Sequence, residues 1–133
     1  MSENLDLVRS IYAEWERGDF SNDAWADPSV EFARVDGPAT GTWQGKDEAE
    51  AGIREMLSAW EDFRVIADEY RVVDDERVLV MGHFTGRGKR SQMDSAQLRT
   101  TAANLFHVER GKVTRVVTYY DRDRALVDLG LKE

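Results

Sequence analysis

The last 31 residues, Ala103 to Glu133, constrain this chain more than any other stretch. They read as an apolar strand over Asn104 to Val108, a tight turn at Glu109-Arg110-Gly111-Lys112, and a second strand over Val113 to Tyr120. A short helix carrying Asp121, Arg122, Leu126 and Leu129 follows and stops near Gly130. Together with the start of the chain, this ending points to one fold with a pocket. It names no reaction.

The start of the chain is helical. Leu5, Val8, Ile11, Tyr12 and Trp15 recur at spacings of three and four, which makes one apolar face over residues 4–17. Ser2 or Asn4 would cap this helix and Gly18 would end it. Ser21-Asn22-Asp23 would cap a short helix through Trp25, closed by Asp27-Pro28. Val30 to Val35 alternates as a strand, with Val30, Phe32 and Arg34 on one face and Glu31, Ala33 and Val35 on the other. Asp36-Gly37-Pro38 and Gly41 to Gly45 have turn chemistry, with Trp43 in the loop. Lys46 to Trp60 reads as a second helix, striped by Ala49, Ile53, Met56, Leu57 and Trp60. Strands then run over Phe63 to Val73, Val78 to Thr85 and Ala96 to Val108, the first two joined by the acidic turn Asp74-Asp75-Glu76. Gly82, inside the second, marks a bulge or a close approach. Helices first and hairpin-joined strands after predict an α+β fold, helices packed on a curved, mostly antiparallel sheet.

Composition narrows the class of function. At 133 residues the chain is expected to be a single domain, residues 1–133, around one core. Eighteen Lys and Arg against 26 Asp and Glu leave a net charge of -8, which argues against nucleic acid and anionic membrane as partners. The absence of cysteine excludes disulfides and thiol catalysis. No apolar run is long enough to span a bilayer, and the acidic N-terminus lacks the pattern of a signal peptide, so a cytoplasmic protein is expected. We expect no cofactor. His83 and His107 stand in different strands, no ligand pair has the i, i+4 spacing of a zinc helix, and no metal site is expected.

Several local patterns occur in a fixed order: Ile11-Tyr12-x-x-Trp15-x-x-Gly18-Asp19-Phe20, Asp27-Pro28-x-Val30-x-Phe32, Gly41-x-Trp43-x-Gly45, Ala59-Trp60-Glu61-Asp62-Phe63, Asp75-x-x-Val78-x-Val80, and Gly111-Lys112-Val113 leading to Tyr119-x-Asp121-Arg122. In order and spacing they resemble the SnoaL-like (polyketide-cyclase-like) branch of the nuclear-transport-factor-2-like superfamily, across nearly the whole chain. The resemblance implies a cone-shaped fold whose sheet encloses an apolar pocket, commonly as a homodimer packed through the outer sheet face. It does not imply one activity. His83, Asn104, Phe106 and Val108 are expected on that outer face.

The same resemblance includes ketosteroid isomerase, and its three catalytic positions fall here on Ile11, Phe32 and Ala103, none of which can transfer a proton. For the cyclase branch, Asp121 is the nearest acid/base candidate, with Tyr120 or Tyr12 as donor; the reading placed ahead of it is that Asp121 caps the last helix. The implied strand phase turns Arg99, Thr101, Ala103 and Leu105 inward, with Val116, Thr118 and Tyr120 on the last strand. Trp15, Trp25, Phe32, Arg34, Trp43, Trp60, Arg99 and Thr118 are therefore the candidate ligand-binding residues. Arg34 and Arg99 either face the cavity, or lie near its mouth or pair with Glu31, Glu69 or Asp68. Two functions follow from this reading. One is a binding protein for a hydrophobic small molecule bearing a carbonyl or an anion; the other is a cofactor-independent cyclase, isomerase or dehydratase using Asp121.

Overall fold

The structure, a computed structural model, describes residues 2–36, 40–88 and 97–131. Among the described residues, three helices and six strands follow in the order α1 (Ser2–Glu16), β1 (Ala26–Arg34), β2 (Gly41–Gln44), α2 (Lys46–Ala59), β3 (Trp60–Val72), β4 (Arg77–Gly88), β5 (Gln97–Glu109), β6 (Lys112–Tyr119) and α3 (Arg122–Leu129). One sheet contains all six strands, in the order β2-β1-β6-β5-β4-β3. Every neighbouring pair is antiparallel except β1 and β6, which run parallel. The fold is α+β with a curved, unclosed mixed sheet.

Each element follows from local chemistry. The α1 stripe is buried as its spacing requires: Val8, Ile11, Tyr12 and Trp15 are all at or below 7 % exposed. In the first turn of α2, Asp47 and Glu48 complement the helix dipole, and the Glu48 carboxylate accepts from the Gln44 N–H at 2.9 Å. Asp121 caps α3 by accepting from the Asp123 and Arg124 N–H groups, and Gly130 closes it in the left-handed region.

The sheet carries two apolar layers. On one face α1 and α2 pack against Val30, Val65, Val78, Val80, Phe106 and Val116. On the other, α3 lays Ala125 and Leu126 over Leu79, Met81, Ala103, Leu105, Val117 and Tyr119. At Gly82 β3 leaves no room for a side chain: a Cβ there would lie 1.9 Å from the Ile66 carbonyl oxygen, beside the β3 irregularity between Ala67 and Glu69. Arg122, at the start of α3, donates to the Gly82 carbonyl at 2.8 Å and ties that bend to the helix.

Four sequence expectations change. Residues 21–25 form no helix: the Asn22 side chain accepts from the Ala24 N–H, Ala26 N–H bonds back to Asp23, and β1 begins at Ala26, passing Pro28 through an irregular register. Trp43 stands in a short strand, paired with Phe32, rather than in a loop. Trp60 opens β3 instead of ending α2. The most consequential change is the phase of β5. Asn104, Phe106 and Val108 face the α1/α2 side and Ala103 and Leu105 face α3, the reverse of the expected arrangement. The homodimer expectation therefore loses Asn104, Phe106 and Val108 from its outer-face argument. His83 keeps the expected face, which it shares with Met81 and Ala103, and is half-buried with Nδ1 3.0 Å from Asp68 Oδ2.

Candidate functional site

A cavity of about 110 Å³, partly open to solvent, lies between the inner sheet face and α2. Trp15 and Phe20 close it from the α1 side, Ala49, Gly52 and Ile53 from α2, and Phe63, Val65 and Phe84 from β3 and β4. Phe32, Arg34 and Trp43 form the β1/β2 wall. The floor is Asn104, Thr118 and Tyr120. Residue spacing in the strands explains this grouping: Phe32 and Arg34 are two apart on β1, and the Phe32↔Val116 and Arg34↔Thr118 pairs place β6 beside them.

The polar members lie in one row across the sheet. Arg34 pairs with Thr118, Thr118 with Asn104, and Asn104 with Val80, so three adjacent strands present a guanidinium, a hydroxyl and an amide on the same face. The Thr118 hydroxyl donates to Asn104 Oδ1 at 2.7 Å, and Asn104 Nδ2 donates to Tyr12 Oη at 2.8 Å. Tyr12 sits behind the floor at 1 % exposure, and burial pushes its phenol well above the usual tyrosine range. It is neutral and structural in position, contacting the cavity through Asn104. Among the described residues, Asn104 is the buried polar residue of the core, 6 % exposed, and both ends of its amide are satisfied.

Arg34 is held by stacking. Its guanidinium carbon lies 4.7 Å from the centroid of a Trp43 ring, and Trp43 is itself lodged against α2 where Gly52 leaves room. Among the described residues no carboxylate pairs with Arg34. Nor does any Asp, Glu or His belong to the described cavity lining. The site thus offers a cation, a hydroxyl, an amide and a phenol set in apolar and aromatic walls.

The candidates named from sequence divide cleanly. Trp15, Phe32, Arg34, Trp43, Thr118 and Tyr120 come together at the cavity. Trp25 borders a smaller adjacent recess, stacks edge-on against Trp15 at 5.9 Å and donates its indole N–H to the Asn22 carbonyl. Trp60 is half-buried at the start of β3 and packs on the core outside the described lining. The Arg99 side chain lies outside the described residues; its backbone pairs with Thr85. Asp121, expected at the pocket, is exposed and bonded to the first turn of α3. Asp36 accepts from the backbone of Tyr120 and Asp121, which fixes the end of β6 beside β1.

Asn104 is the site residue that sequence reasoning missed. The available signal was a lone amide within Ala102-Ala103-Asn104-Leu105-Phe106, since a polar side chain in a doubly covered strand needs specific partners. Phe20, Ile53, Phe63 and Phe84 were also not singled out; their types alone do not separate cavity wall from core.

A curved sheet closed on one side by helices, with a one-sided apolar cavity between them, defines the nuclear-transport-factor-2-like class of α+β folds. Within that class the chain belongs to the SnoaL-like domain family, whose sequence profile matches residues 8–116. Solved structures show the same fold. One is an NTF2-like protein of unknown function from Burkholderia pseudomallei, 23 % identical, with a TM-score of 0.76 over 96 % of this chain and 97 % of that one. A candidate SnoaL-like polyketide cyclase from Jannaschia is 15 % identical, with a TM-score of 0.74 over 99 % and 94 %. A candidate polyketide cyclase from Xanthomonas campestris is 18 % identical, with a TM-score of 0.72 over 96 % and 97 %. No curated protein matches the sequence significantly. Among the described residues no helix is long and apolar enough to cross a membrane.

Proposed function

We propose that this protein binds a small hydrophobic molecule bearing a carboxylate or a carbonyl, with Arg34 as the anchor. The observation that carries this reading is the state of Arg34. Its guanidinium is held against Trp43 in a partly apolar wall, with no carboxylate partner among the described residues. A guanidinium removed from bulk water gains most from an acceptor that can take two parallel N–H bonds. A carboxylate or polarised carbonyl supplies one, and the aromatic walls take the rest of the molecule. The cavity of about 110 Å³ suits a group near the size of one ring, with any larger part reaching out through the open side.

Acid–base catalysis through Asp121 has no comparable support. Its carboxylate is exposed, accepts two backbone N–H groups of α3 and lies outside the described cavity lining. A general acid must lie within hydrogen-bond reach of the substrate.

The test is an NMR titration following the Trp43 indole N–H with benzoate, benzamide and benzylamine. Benzoate is expected to bind saturably and benzylamine not at all. A charge-assisted hydrogen bond contributes about 1.5–3 kcal/mol, so Arg34→Gln is expected to weaken benzoate roughly 10- to 150-fold with the fold intact. Equal binding of benzoate and benzylamine, or benzoate affinity unchanged in Arg34→Gln, would overturn the proposal.

A further inference from the structure

We infer that Gly52 sets which ligands the cavity accepts: it leaves the α2 backbone bare at the cavity wall, and the ring of the ligand packs against that backbone. This inference rests on the binding reading above and narrows the ligand class to acids or carbonyl compounds that carry a ring, as against short-chain ones.

The argument starts from what glycine costs inside a helix. Gly52 stands in the interior of α2, well inside both Lys46 and Ala59. Apart from proline, glycine is the least favourable residue there, because its backbone loses the most freedom on folding. A fold needs it when the chain turns into the left-handed region or when a neighbour leaves no space for a Cβ. Neither holds at Gly52. Its φ is not positive, unlike that of Gly45 at the head of the same helix. A Cβ built on it would meet, among the described residues, only Trp43 Nε1 at 4.0 Å, an ordinary van der Waals distance. The corresponding contact at Gly82 is 1.9 Å.

What lies beside Gly52 is the cavity. Gly52 is half-buried and lines it together with Trp43, so the missing side chain enlarges the space where β2 faces α2. Arg34 belongs to the same wall, its guanidinium carbon 4.7 Å from the centroid of a Trp43 ring. One indole thus has the anchoring cation over its face and the bare backbone beside its N–H. A ring attached to a carboxylate at Arg34 extends along that indole toward Gly52. The methyl group of acetate stops short.

The experiment compares Gly52→Ala with wild type in benzoate affinity, acetate affinity and urea midpoint, with both acids followed at the Trp43 indole N–H. Alanine improves helix propensity and narrows the unfolded ensemble, so the midpoint is expected to rise. Its methyl group takes space the ring needs, and benzoate is expected to weaken about fivefold or more, the lower end of what an overpacked methyl costs. Acetate is expected to stay within about twofold; if it is too weak to measure, the midpoint and the benzoate loss decide. A protein made more stable that binds its ligand less well is a combination no purely structural role for Gly52 produces. A smaller benzoate loss, a lowered midpoint, or acetate weakened as much as benzoate would each overturn the Gly52 assignment and leave the binding reading standing. If neither acid binds to wild type, both readings fall.

Discussion

Replacing Asn104 tests whether the buried relay holds the core together. In Asn104→Leu the side chain keeps its approximate volume and loses both amide bonds, to Tyr12 at 2.8 Å and Thr118 at 2.7 Å. The two losses differ in cost. Thr118 borders the cavity, where water can replace the amide, whereas Tyr12 is 1 % exposed and its phenol is left with no replacement. An orphaned buried hydroxyl costs about 1–3 kcal/mol, so a destabilisation of about 2 kcal/mol is expected. Tyr12→Phe removes the phenol oxygen and leaves Asn104 Nδ2 unbonded beside the cavity, at a cost of about 1 kcal/mol. The double variant has no orphaned phenol and is expected to be more stable than the sum of the singles by about 1 kcal/mol or more. Urea unfolding of the four proteins at matched m-values measures this coupling. A coupling below about 0.5 kcal/mol would refute the reasoning, because additive losses would mean that the two residues are held independently.

Other consequences can be checked in the same assays. Gly82→Ala places a methyl group 1.9 Å from the Ile66 carbonyl oxygen, in backbone that cannot rotate away. Overpacking costs about 1–3 kcal/mol or more, so a clearly lowered unfolding midpoint is expected, and an unchanged one would show that the strands can part there freely. Asp121→Ala removes the α3 cap and is expected to cost about 0.5–2 kcal/mol while leaving benzoate affinity within twofold, whereas Asp121→Asn should retain most of the stability. A large loss of binding in a folded Asp121→Asn protein would restore that carboxylate to the site.

How much was legible in the sequence depended on whether each element has one wet face. The α1 stripe, the Val78-Val80-Phe84 face of β4 and the Val116-Thr118-Tyr120 phase of β6 agree with the structure. So does the paired alternation of β1, which settles with Val30, Phe32 and Arg34 inward. The β5 phase did not, because that strand is covered by α1 and α2 on one side and α3 on the other. Ala102, Ala103, Leu105 and Phe106 are all buried, and a strand apolar on both faces carries no alternation to read. Counting from Gly111 then had nothing to correct a shift of one residue, which turns every side chain to the opposite face. The start of β1 was hidden for a different reason: Asp27 and Ser29 make a local turn-like bond, and Pro28 suggests a break that the strand instead absorbs as irregular register.

The parallel pairing of β1 with β6 also has a kinetic consequence. Antiparallel neighbours in this sheet are mostly joined by hairpins and can zip from their turns, but β1 waits for the strand that closes the sheet. Tyr12 and Asn104, whose bond anchors the polar row, are 92 residues apart in the chain. Contacts of such long range carry the loop-closure entropy before any gain, and folding rates fall as they accumulate. During synthesis, α1 and β1 leave the ribosome long before the strands that complete their core. The binding row is therefore among the last features to form, and its buried Tyr12–Asn104 bond is expected to open only when the whole sheet does.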